Sequence, residues 1–336
     1  MQQTIFGKTN LKVGRTGFGG IPIQRIPYDE STAILRRAYE AGITLYDTAN
    51  GYSTSQDRIG VALSHVRDKI VLCTKSSAPD PVTLIAHLEN SLQKMRTDYI
   101  DIFQFHNPSF VPRPGGEDGL YDALAKAKTE GKVRHIGISA HKQANALEAV
   151  QSGLYDSLQY PFSYLSSEEE MAIVDQCKAH NVGILGMKAL CGGLLTNAKA
   201  AFAFLNQYEA IVPIWGIQFM NQLEEIIAYS KAPPAMDEEL QRVIDEDRVR
   251  LSGSFCRSCG YCLPCPANIE IPQAARMSFL LGRTLKEKFL TEEWQENMRR
   301  IDNCINCGHC IKNCPYELNV PALLKDQQKQ YFSDLA

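Results

Sequence analysis

A chain of 336 residues is long enough for about two domains, and its hydrophobic content of 44% can supply a large core. The formal net charge of −3 argues against a nucleic-acid partner. No apolar run approaches the about 18 residues of a membrane span, and Met1 to Thr4 shows neither the basic nor the apolar part of a signal peptide. We therefore expect a cytoplasmic protein.

The N-terminal residues predict a β-hairpin. Residues 4–6 and 11–13 are β-rich and flank the turn-forming sequence Gly7-Lys8-Thr9-Asn10. We expect this hairpin to close the floor of the domain that follows.

From Gly17 to about Ser230, short β-rich runs alternate with amphipathic helical stretches such as residues 30–41 and 82–95. This alternation is typical of parallel βα units. The predicted strands are residues 17–21, 43–48, 70–75, 99–106, 135–139, 157–160, 183–187 and 211–216. Eight such units predict an α/β fold of the (β/α)8 TIM-barrel type. A doubly wound sheet is the competing fold, but the chain has no G-x-G-x-x-G opening.

The sequence Lys231-Ala232-Pro233-Pro234 interrupts both helix and strand and marks a predicted domain boundary. We predict a barrel over residues 1–231 and a mainly α-helical, cysteine-rich domain over residues 236–336. Between the cysteine runs of this second domain, Leu280, Leu281, Leu285, Phe289 and Leu290 recur at helical intervals.

Eight of the eleven cysteines fall into two runs that each end in Cys-Pro. The first run is Cys256, Cys259, Cys262 and Cys265, and the second is Cys304, Cys307, Cys310 and Cys314. The second run reads C-x2-C-x2-C-x3-C-P, a ferredoxin pattern in which the fourth cysteine ligates the other cluster. We therefore predict two 4Fe-4S clusters with crossed ligands, Cys256, Cys259 and Cys262 with Cys314, and Cys304, Cys307 and Cys310 with Cys265.

Two points qualify the metal prediction. Paired C-x2-C elements also build four-thiolate zinc sites, so zinc is the alternative. The first run departs from the pattern, because two residues rather than three separate Cys262 from Cys265. Three further cysteines, Cys73, Cys177 and Cys191, are expected to be buried thiols in apolar strands or helices.

The cysteine-rich region also contains an internal repeat. Cys265-Pro266 leads to Ile271-Pro272 just as Cys314-Pro315 leads to Val320-Pro321. Together with the helix-forming residues between the two copies, this repeat predicts a helical ferredoxin-like domain with two similar halves.

Four ionisable residues fall at or just after the C-terminal ends of neighbouring predicted strands, where barrel enzymes carry their chemistry. They are Asp47, Tyr52, Lys75 and His106. A tyrosine hydroxyl has a reference pKa near 10, so a nearby lysine paired with the aspartate would make it a better proton donor at neutral pH. With a histidine to orient a carbonyl oxygen, such a set could protonate a carbonyl that receives a hydride.

These residues, together with Phe6-Gly7-Lys8-Thr9 and Gly17-Phe18-Gly19-Gly20, give the chain its resemblance to the aldo-keto reductases. The whole chain resembles the subgroup with a C-terminal 4Fe-4S ferredoxin-type domain. The resemblance implies that Asp47, Tyr52, Lys75 and His106 form the catalytic tetrad. It also implies an NAD(P)H cofactor and a small carbonyl or alcohol substrate.

The resemblance further implies cofactor contacts from Gly20, Ser139, Gln159, Met187, Gly216 and Gln218. The chain departs from the family at or near these contacts in three ways. Ala140 replaces the asparagine of the carboxamide-binding pair, and Met187 replaces the stacking aromatic residue. No Lys or Arg occurs between Gly216 and Lys231, whereas a 2′-phosphate needs a cationic or forked donor. The alternatives to NADPH are therefore NADH or weak nucleotide binding.

The leading functional hypothesis is therefore an oxidoreductase that reduces a carbonyl, or oxidises an alcohol, with NAD(P)H. One alternative is a cluster-fed one-electron reductase without nicotinamide, and another is an electron-transfer module with a non-catalytic barrel. A redox partner protein such as a ferredoxin is a further expectation. Arg113, in the loop after the fourth barrel strand, is either a contact for an anionic substrate group or a solvated charge.

Overall fold

The computed structural model describes residues 1–251, 255–281 and 286–335. It divides the chain into two compact units. The first comprises Met1–Ala189 and Asn197–Ile244, and the second comprises Leu190–Thr196 and Asp245–Ala336. The predicted bounds of 1–231 and 236–336 stay a prediction.

The first unit is a closed barrel of eight parallel strands, as the sequence predicts. A two-stranded hairpin of β1 (Gln3–Ile5) and β2 (Lys12–Gly14) precedes it. The barrel strands are β3 (Gly17–Gly19), β4 (Leu45–Asp47), β5 (Val71–Ser76), β6 (Ile100–His106), β7 (Val133–Ser139), β8 (Ser157–Pro161), β9 (Gly183–Met187) and β10 (Ile211–Gly216). The strands follow one another in chain order around the barrel, and β10 closes it against β3.

The helices of this unit alternate with the strands. They are α1 (Tyr28–Glu40), α2 (Ser55–Leu63), α3 (Pro81–Met95), α4 (Leu120–Thr129), α5 (Gln143–Gln151), α6 (Glu168–Ala179), α7 (Ala198–Asn206) and α8 (Met220–Lys231). Helix α9 (Glu238–Arg250) follows, and the boundary between the two units falls within it, after Ile244. Their ends follow ordinary capping chemistry, as α3 shows. Asp80 accepts a hydrogen bond from Thr83 N at its start, and Arg96 ends it in a left-handed conformation.

The hairpin packs into the barrel through Phe6. This side chain is 1% exposed and belongs to the same apolar cluster as Leu45, Cys73 and Leu185 from the barrel strands. The turn that follows requires glycine, because Gly7 has φ +51° and a Cβ there would lie 2.3 Å from Gly183 N. Burial of a phenylalanine stabilises a fold by about 1.5–3 kcal/mol. The hairpin is therefore held to the barrel by the burial of Phe6 and by the close approach of Gly7 to Gly183 of β9.

The register of the sheet brings the predicted site residues to one end of the barrel. Asp47 of β4 lies opposite Cys73 of β5, two residues before Lys75. Farther along the sheet, His106 of β6 lies opposite Ser139 of β7, which in turn lies opposite Gln159 of β8. Because all these strands are parallel, their carboxyl ends meet at the same edge.

The second unit is helical in its described residues, as predicted. Its helices are α10 (Ile271–Ala274), α11 (Met277–Leu281), α12 (Glu292–Arg299), α13 (His309–Lys312) and α14 (Val320–Leu335). Met277, Met298 and Tyr331 are among its buried core residues. Of the predicted leucine series, Leu280 and Leu281 lie in α11, whereas Leu285 lies outside the described residues.

The internal repeat is also a structural repeat. Helices α10 and α14 begin at its equivalent residues Ile271 and Val320. Within the described ranges, no helix combines the length and the apolar character needed to cross a membrane.

Candidate active site

A buried ion pair lies at the carboxyl ends of β4 and β5. Lys75 Nζ donates to Asp47 Oδ1 at 2.6 Å, to Thr48 O at 2.8 Å and to Gln159 Oε1 at 3.3 Å. Lys75 is 1% exposed and Asp47 is 3% exposed. Burial raises the pKa of Asp47, and the Lys75 ammonium opposes that effect. A buried ammonium with three acceptors is a fixed positive charge inside the site.

Tyr52 lies beside this pair on the loop that follows β4. The loop is bound to the end of β5, because Thr48 N donates to Cys73 O and Asn50 N donates to Lys75 O, each at 2.9 Å. Tyr52 N donates to Ala49 O within the same turn. Lys75 Nζ lies 5.4 Å from the centre of the Tyr52 ring. The loop after β4 thus places the phenol of Tyr52 near the buried ammonium of Lys75 on the neighbouring strand β5.

The ring of His106 also lies beside the ring of Tyr52. The two ring centres are 5.9 Å apart, and the planes meet at 81°. Burial, helped by the charge of Lys75, lowers the pKa of His106 from 6.5 to about 3. The imidazole is therefore neutral at pH 7 and can donate a hydrogen bond without carrying a charge.

Gly20 is placed at this site by close packing. A Cβ on Gly20 would lie 2.6 Å from Ser55 Oγ and 2.9 Å from Asp47 O. Gly20 N also donates to Asp47 O, and Ser55 Oγ donates to Gly20 O, both at 2.8 Å. Any side chain at position 20 would thus push against the backbone of Asp47.

Ser139 lies at the end of β7, and Gln159 lies on the neighbouring strand β8. Gln159 Oε1 accepts hydrogen bonds from Lys75 and from Gln104 Nε2, the latter at 2.9 Å. Its Nε2 makes two long contacts among the described residues, 3.5 Å to Asp47 Oδ2 and 3.7 Å to Met187 Sδ. Ser139 Oγ, which is buried, accepts from Asn107 N at 3.0 Å. The sequence analysis missed Gln104, although a polar residue between the apolar Phe103 and Phe105 of β6 is a signal for it.

The remaining predicted cofactor contacts lie at the ends of β9 and β10. Met187 is buried and contacts Gln159, while Gly216 is exposed at the end of β10. The backbone amides of Gln218 and Phe219 both donate to Gln222 Oε1, at 2.9 and 3.1 Å. The first amides before α8 are thus already capped by a side chain that the sequence analysis did not single out.

Arg113 is engaged elsewhere. Its guanidinium lies 2.5 Å from Glu148 Oε1 in an ion pair whose side chains are 57% and 44% exposed. This arrangement favours the solvated-charge interpretation over a substrate contact.

The cysteine runs surround two separate cavities in the second unit. One cavity is lined by Cys256, Cys259, Cys262 and Cys314. The other is lined by Cys265, Cys304, Cys307 and Cys310, and Cys262 lines this cavity as well. The fourth cysteine of each run thus faces the cavity of the other run. The remaining lining is largely apolar, with residues such as Ile271, Leu318 and Leu324.

The backbone around both cavities has the shape that suits an anionic cluster. Residues in left-handed conformations recur at equivalent places of the two runs: Ser258 with Asn306, Gly260 with Gly308, and Asn268 with Glu317. Such turns direct successive N–H groups into a concavity, which is a common feature of iron-sulfur sites. Ser258 N donates to Cys256 Sγ at 3.4 Å. The donor set and the shape therefore both fit an iron-sulfur cluster.

The three other cysteines do not line these cavities. Cys73 in β5 and Cys177 in α6 are buried as predicted, and burial raises the pKa of Cys177 to about 12. Cys191 is buried as well and lies in a short 3-10 helix, Cys191–Gly193, where its φ is +46°. This helix is in the segment that belongs to the second unit.

Comparisons with known proteins agree with this architecture. Residues 10–203 match the model of the aldo/keto reductase family, and residues 255–319 match a 4Fe-4S dicluster domain. The aldo-keto reductase YhdN of Bacillus subtilis is 31% identical over 221 residues, which cover 58% of this chain and 64% of that protein. The chain thus spans slightly less than two thirds of that relative's length.

Two further proteins show the range of the likeness. The NADH-specific methylglyoxal reductase of Escherichia coli is 27% identical over 58% of this chain and 69% of its own length. An aldo-keto reductase from Klebsiella pneumoniae, solved in complex with NADPH, has a TM-score of 0.65 at 19% identity over 74% of this chain and 96% of its own, a likeness of fold. With its family match, its closed barrel and its second match at the cysteine runs, the chain belongs to the aldo/keto reductase family and carries a 4Fe-4S dicluster domain.

Proposed function

We propose that the barrel reduces a small carbonyl compound, or oxidises the corresponding alcohol, at Asp47, Tyr52, Lys75 and His106. The observation that carries this proposal is the buried Lys75–Asp47 pair with the Tyr52 ring 5.4 Å from the ammonium. A positive charge near a phenol stabilises the phenolate and so brings its pKa towards the working pH. Tyr52 is therefore the proton donor to the carbonyl oxygen, and Lys75 tunes it.

Asp47 and His106 have supporting roles. Asp47 accepts a hydrogen bond from the Lys75 ammonium at 2.6 Å and so holds it in place beside Tyr52. His106 is neutral because of its low pKa, so it orients the carbonyl oxygen as a hydrogen-bond donor rather than competing with Tyr52 as an acid. Tyr52 acts as the acid because it lies near the Lys75 ammonium, and His106 only orients the carbonyl because burial keeps it neutral.

The donor set at β7 and β8 fits a nicotinamide carboxamide. Ser139 Oγ and the amide of Gln159 provide both a donor and an acceptor, and the Nε2 contacts of Gln159 are long enough to be exchanged for better ones. Gly20, Met187, Gly216 and Gln218 complete the proposed contacts. When bound, the nicotinamide supplies the hydride.

The other end of the proposed nucleotide site fits a 2′-phosphate poorly. Residues 217–230 include no Lys or Arg, and Gln222 already occupies the amides of Gln218 and Phe219. Because a 2′-phosphate needs a charged partner to replace its hydration, we propose NADH rather than NADPH as the cofactor.

The proton-donor role is tested with Tyr52→Phe. We expect kcat for an aldehyde panel to fall by about 10²–10⁴-fold, with the calorimetric affinity for NADH unchanged. Tyr229→Phe is the matched control, since that hydroxyl contacts Glu225 on α8. Unchanged turnover in Tyr52→Phe would exclude the role. If neither NADH nor NADPH binds to the wild type, the hydride mechanism fails and a one-electron reductase is favoured.

We further propose that the second unit holds two 4Fe-4S clusters, each with three cysteines of one run and the fourth of the other. The two cavities and their crossed cysteine linings support this assignment. The clusters supply one-electron transfer, for which a small redox protein is the proposed partner. The rest of the lining is largely apolar and limits the contact of Cys262 and Cys314 with water, while Cys307 is exposed.

Anaerobic purification with iron and sulfide counting tests the cluster proposal, with about eight irons expected per chain. Cys314→Ser should lower the iron content by about half, and only one of two electron paramagnetic resonance signals should be lost. Cys177→Ser is the control, because that thiol is buried in α6. Zinc in place of iron would refute the proposal. The signal lost in Cys314→Ser should be that of the cluster held by Cys256, Cys259 and Cys262, and loss of the signal of the cluster held by Cys304, Cys307 and Cys310 would refute the crossed ligand sets.

A further inference from the structure

Arg276 is a buried cation next to the first cysteine run. Its side chain lies in the turn between α10 and α11 and is 5% exposed. Nε donates to Pro272 O at 2.8 Å, and Nη1 donates to Gly192 O at 3.0 Å. Both acceptors are neutral carbonyls, so neither bond neutralises the charge. A buried charge of this kind is costly unless another group compensates it.

The first cysteine run lies close to this cation. Arg276 Nη1 and Ser258 Cβ are each 3.3 Å from the point that a Cβ on Gly192 would occupy. Ser258 follows Cys256 by two residues, and its N–H donates to the Cys256 sulfur. The guanidinium therefore lies near the sulfur ligands proposed for the first cavity.

The guanidinium packs closely against Gly192. Gly192 has φ +64°, and a Cβ there would lie 3.3 Å from Arg276 Nη1 and 3.3 Å from Ser258 Cβ. The glycine therefore lets the backbone of the 190–196 segment approach the arginine and the first run together. This segment is the part of the chain that the second unit takes from between β9 and α7.

The second run has a different environment. The described lining of the second cavity includes no Lys or Arg, whereas Arg257 lines the first cavity. Cys307 is exposed, whereas Cys262 and Cys314 at the first cavity are buried. The two cavities are therefore similar in backbone and unequal in electrostatics.

We infer that Arg276 is a positioning residue that selectively raises the reduction potential of the cluster held by Cys256, Cys259, Cys262 and Cys314. Reduction adds one electron from a one-electron donor, breaks no bond and makes the cluster more negative by one charge. A buried cation beside one ligand sulfur stabilises that added charge, and net charge and hydrogen bonding are known determinants of cluster potentials. The second cluster lies in the other cavity and receives less of this effect.

The inference rests on the proposed pair of clusters, and the experiment separates the two. Redox titration with dithionite, followed by electron paramagnetic resonance, is performed on the anaerobic full-length protein and on Arg276→Gln. A wild type without iron refutes the cluster proposal before any variant is compared. With two reduction steps present, we expect one step of Arg276→Gln to become about tenfold less favourable, a shift of about 59 mV for one electron. The other step should stay in place.

Two further variants complete the design. Arg299→Gln removes an exposed positive charge of the same unit that pairs with Glu296, and it should leave both steps unchanged. Arg276→Lys keeps the charge but cannot hold both Pro272 O and Gly192 O, so the same step should move in the same direction by less. Two unmoved steps, or equal shifts of both steps, in iron-replete Arg276→Gln overturn the inference. If Arg276→Gln loses iron, Arg276→Lys decides by the same criterion.

Discussion

The buried pair of Asp47 and Lys75 should show strong energetic coupling. At 2.6 Å and an effective dielectric constant of about 20, the gross attraction is roughly 6 kcal/mol. Desolvation of the two charges offsets much of it, but removing one partner leaves the other buried and unpaired, at a cost of about 3–5 kcal/mol. We therefore expect Lys75→Met and Asp47→Asn each to destabilise the barrel by that amount.

The double variant should be less destabilised than the two single changes together. Removing both charges leaves no unpaired ion, so its free energy of unfolding should exceed the additive expectation by at least about 2 kcal/mol. Urea unfolding can be followed by the fluorescence of Trp215, which is 2% exposed in the barrel. A Trp294→Phe background makes this signal specific, because the chain has two tryptophans.

An exposed pair of the same unit is the control. Arg37 and Glu224 form an ion pair at 2.7 Å with side chains that are 34% and 47% exposed. The cycle of Arg37→Met and Glu224→Gln should give a coupling of about 0.2–1 kcal/mol. Additivity within about 0.5 kcal/mol at the buried pair would refute the argument that burial makes Lys75 and Asp47 interdependent.

Two other predictions follow from the site. His106 stays neutral in the fold down to a pKa of about 3, whereas the unfolded chain takes up its proton near pH 6.5, so acidification favours unfolding. The stability of the wild type relative to His106→Gln should fall by about 2 kcal/mol from pH 6.5 to pH 5, and parallel denaturation profiles would contradict the neutral imidazole. Gly20→Ala should destabilise the barrel by about 1–3 kcal/mol and lower kcat, because its Cβ meets Ser55 and the Asp47 backbone. Gly51→Ala, whose Cβ has nothing within 4 Å, is the control, and equal thermal stabilities of the two variants would contradict the steric argument.

Local sequence patterns were sufficient for the main architecture. Each barrel strand has a short β-rich run and each outer helix an amphipathic one, so both leave a signal within a few residues. The same holds for the cysteine spacings, which predicted an iron-sulfur domain that the family match supports. The placement of Asp47, Lys75 and His106 at strand ends followed as well, because parallel strands bring their carboxyl ends to one edge.

The sequence did not reveal relationships between residues that are distant in the chain. Nothing near Cys191 indicates that its turn belongs with residues 245–336, or that Gly192 O accepts from Arg276. The low pKa of His106 and the contact of Gln104 with Gln159 likewise depend on what surrounds each side chain. Periodicity and spacing report on the neighbours of a residue along the chain, whereas burial, charge compensation and close approach arise only when separate segments pack together.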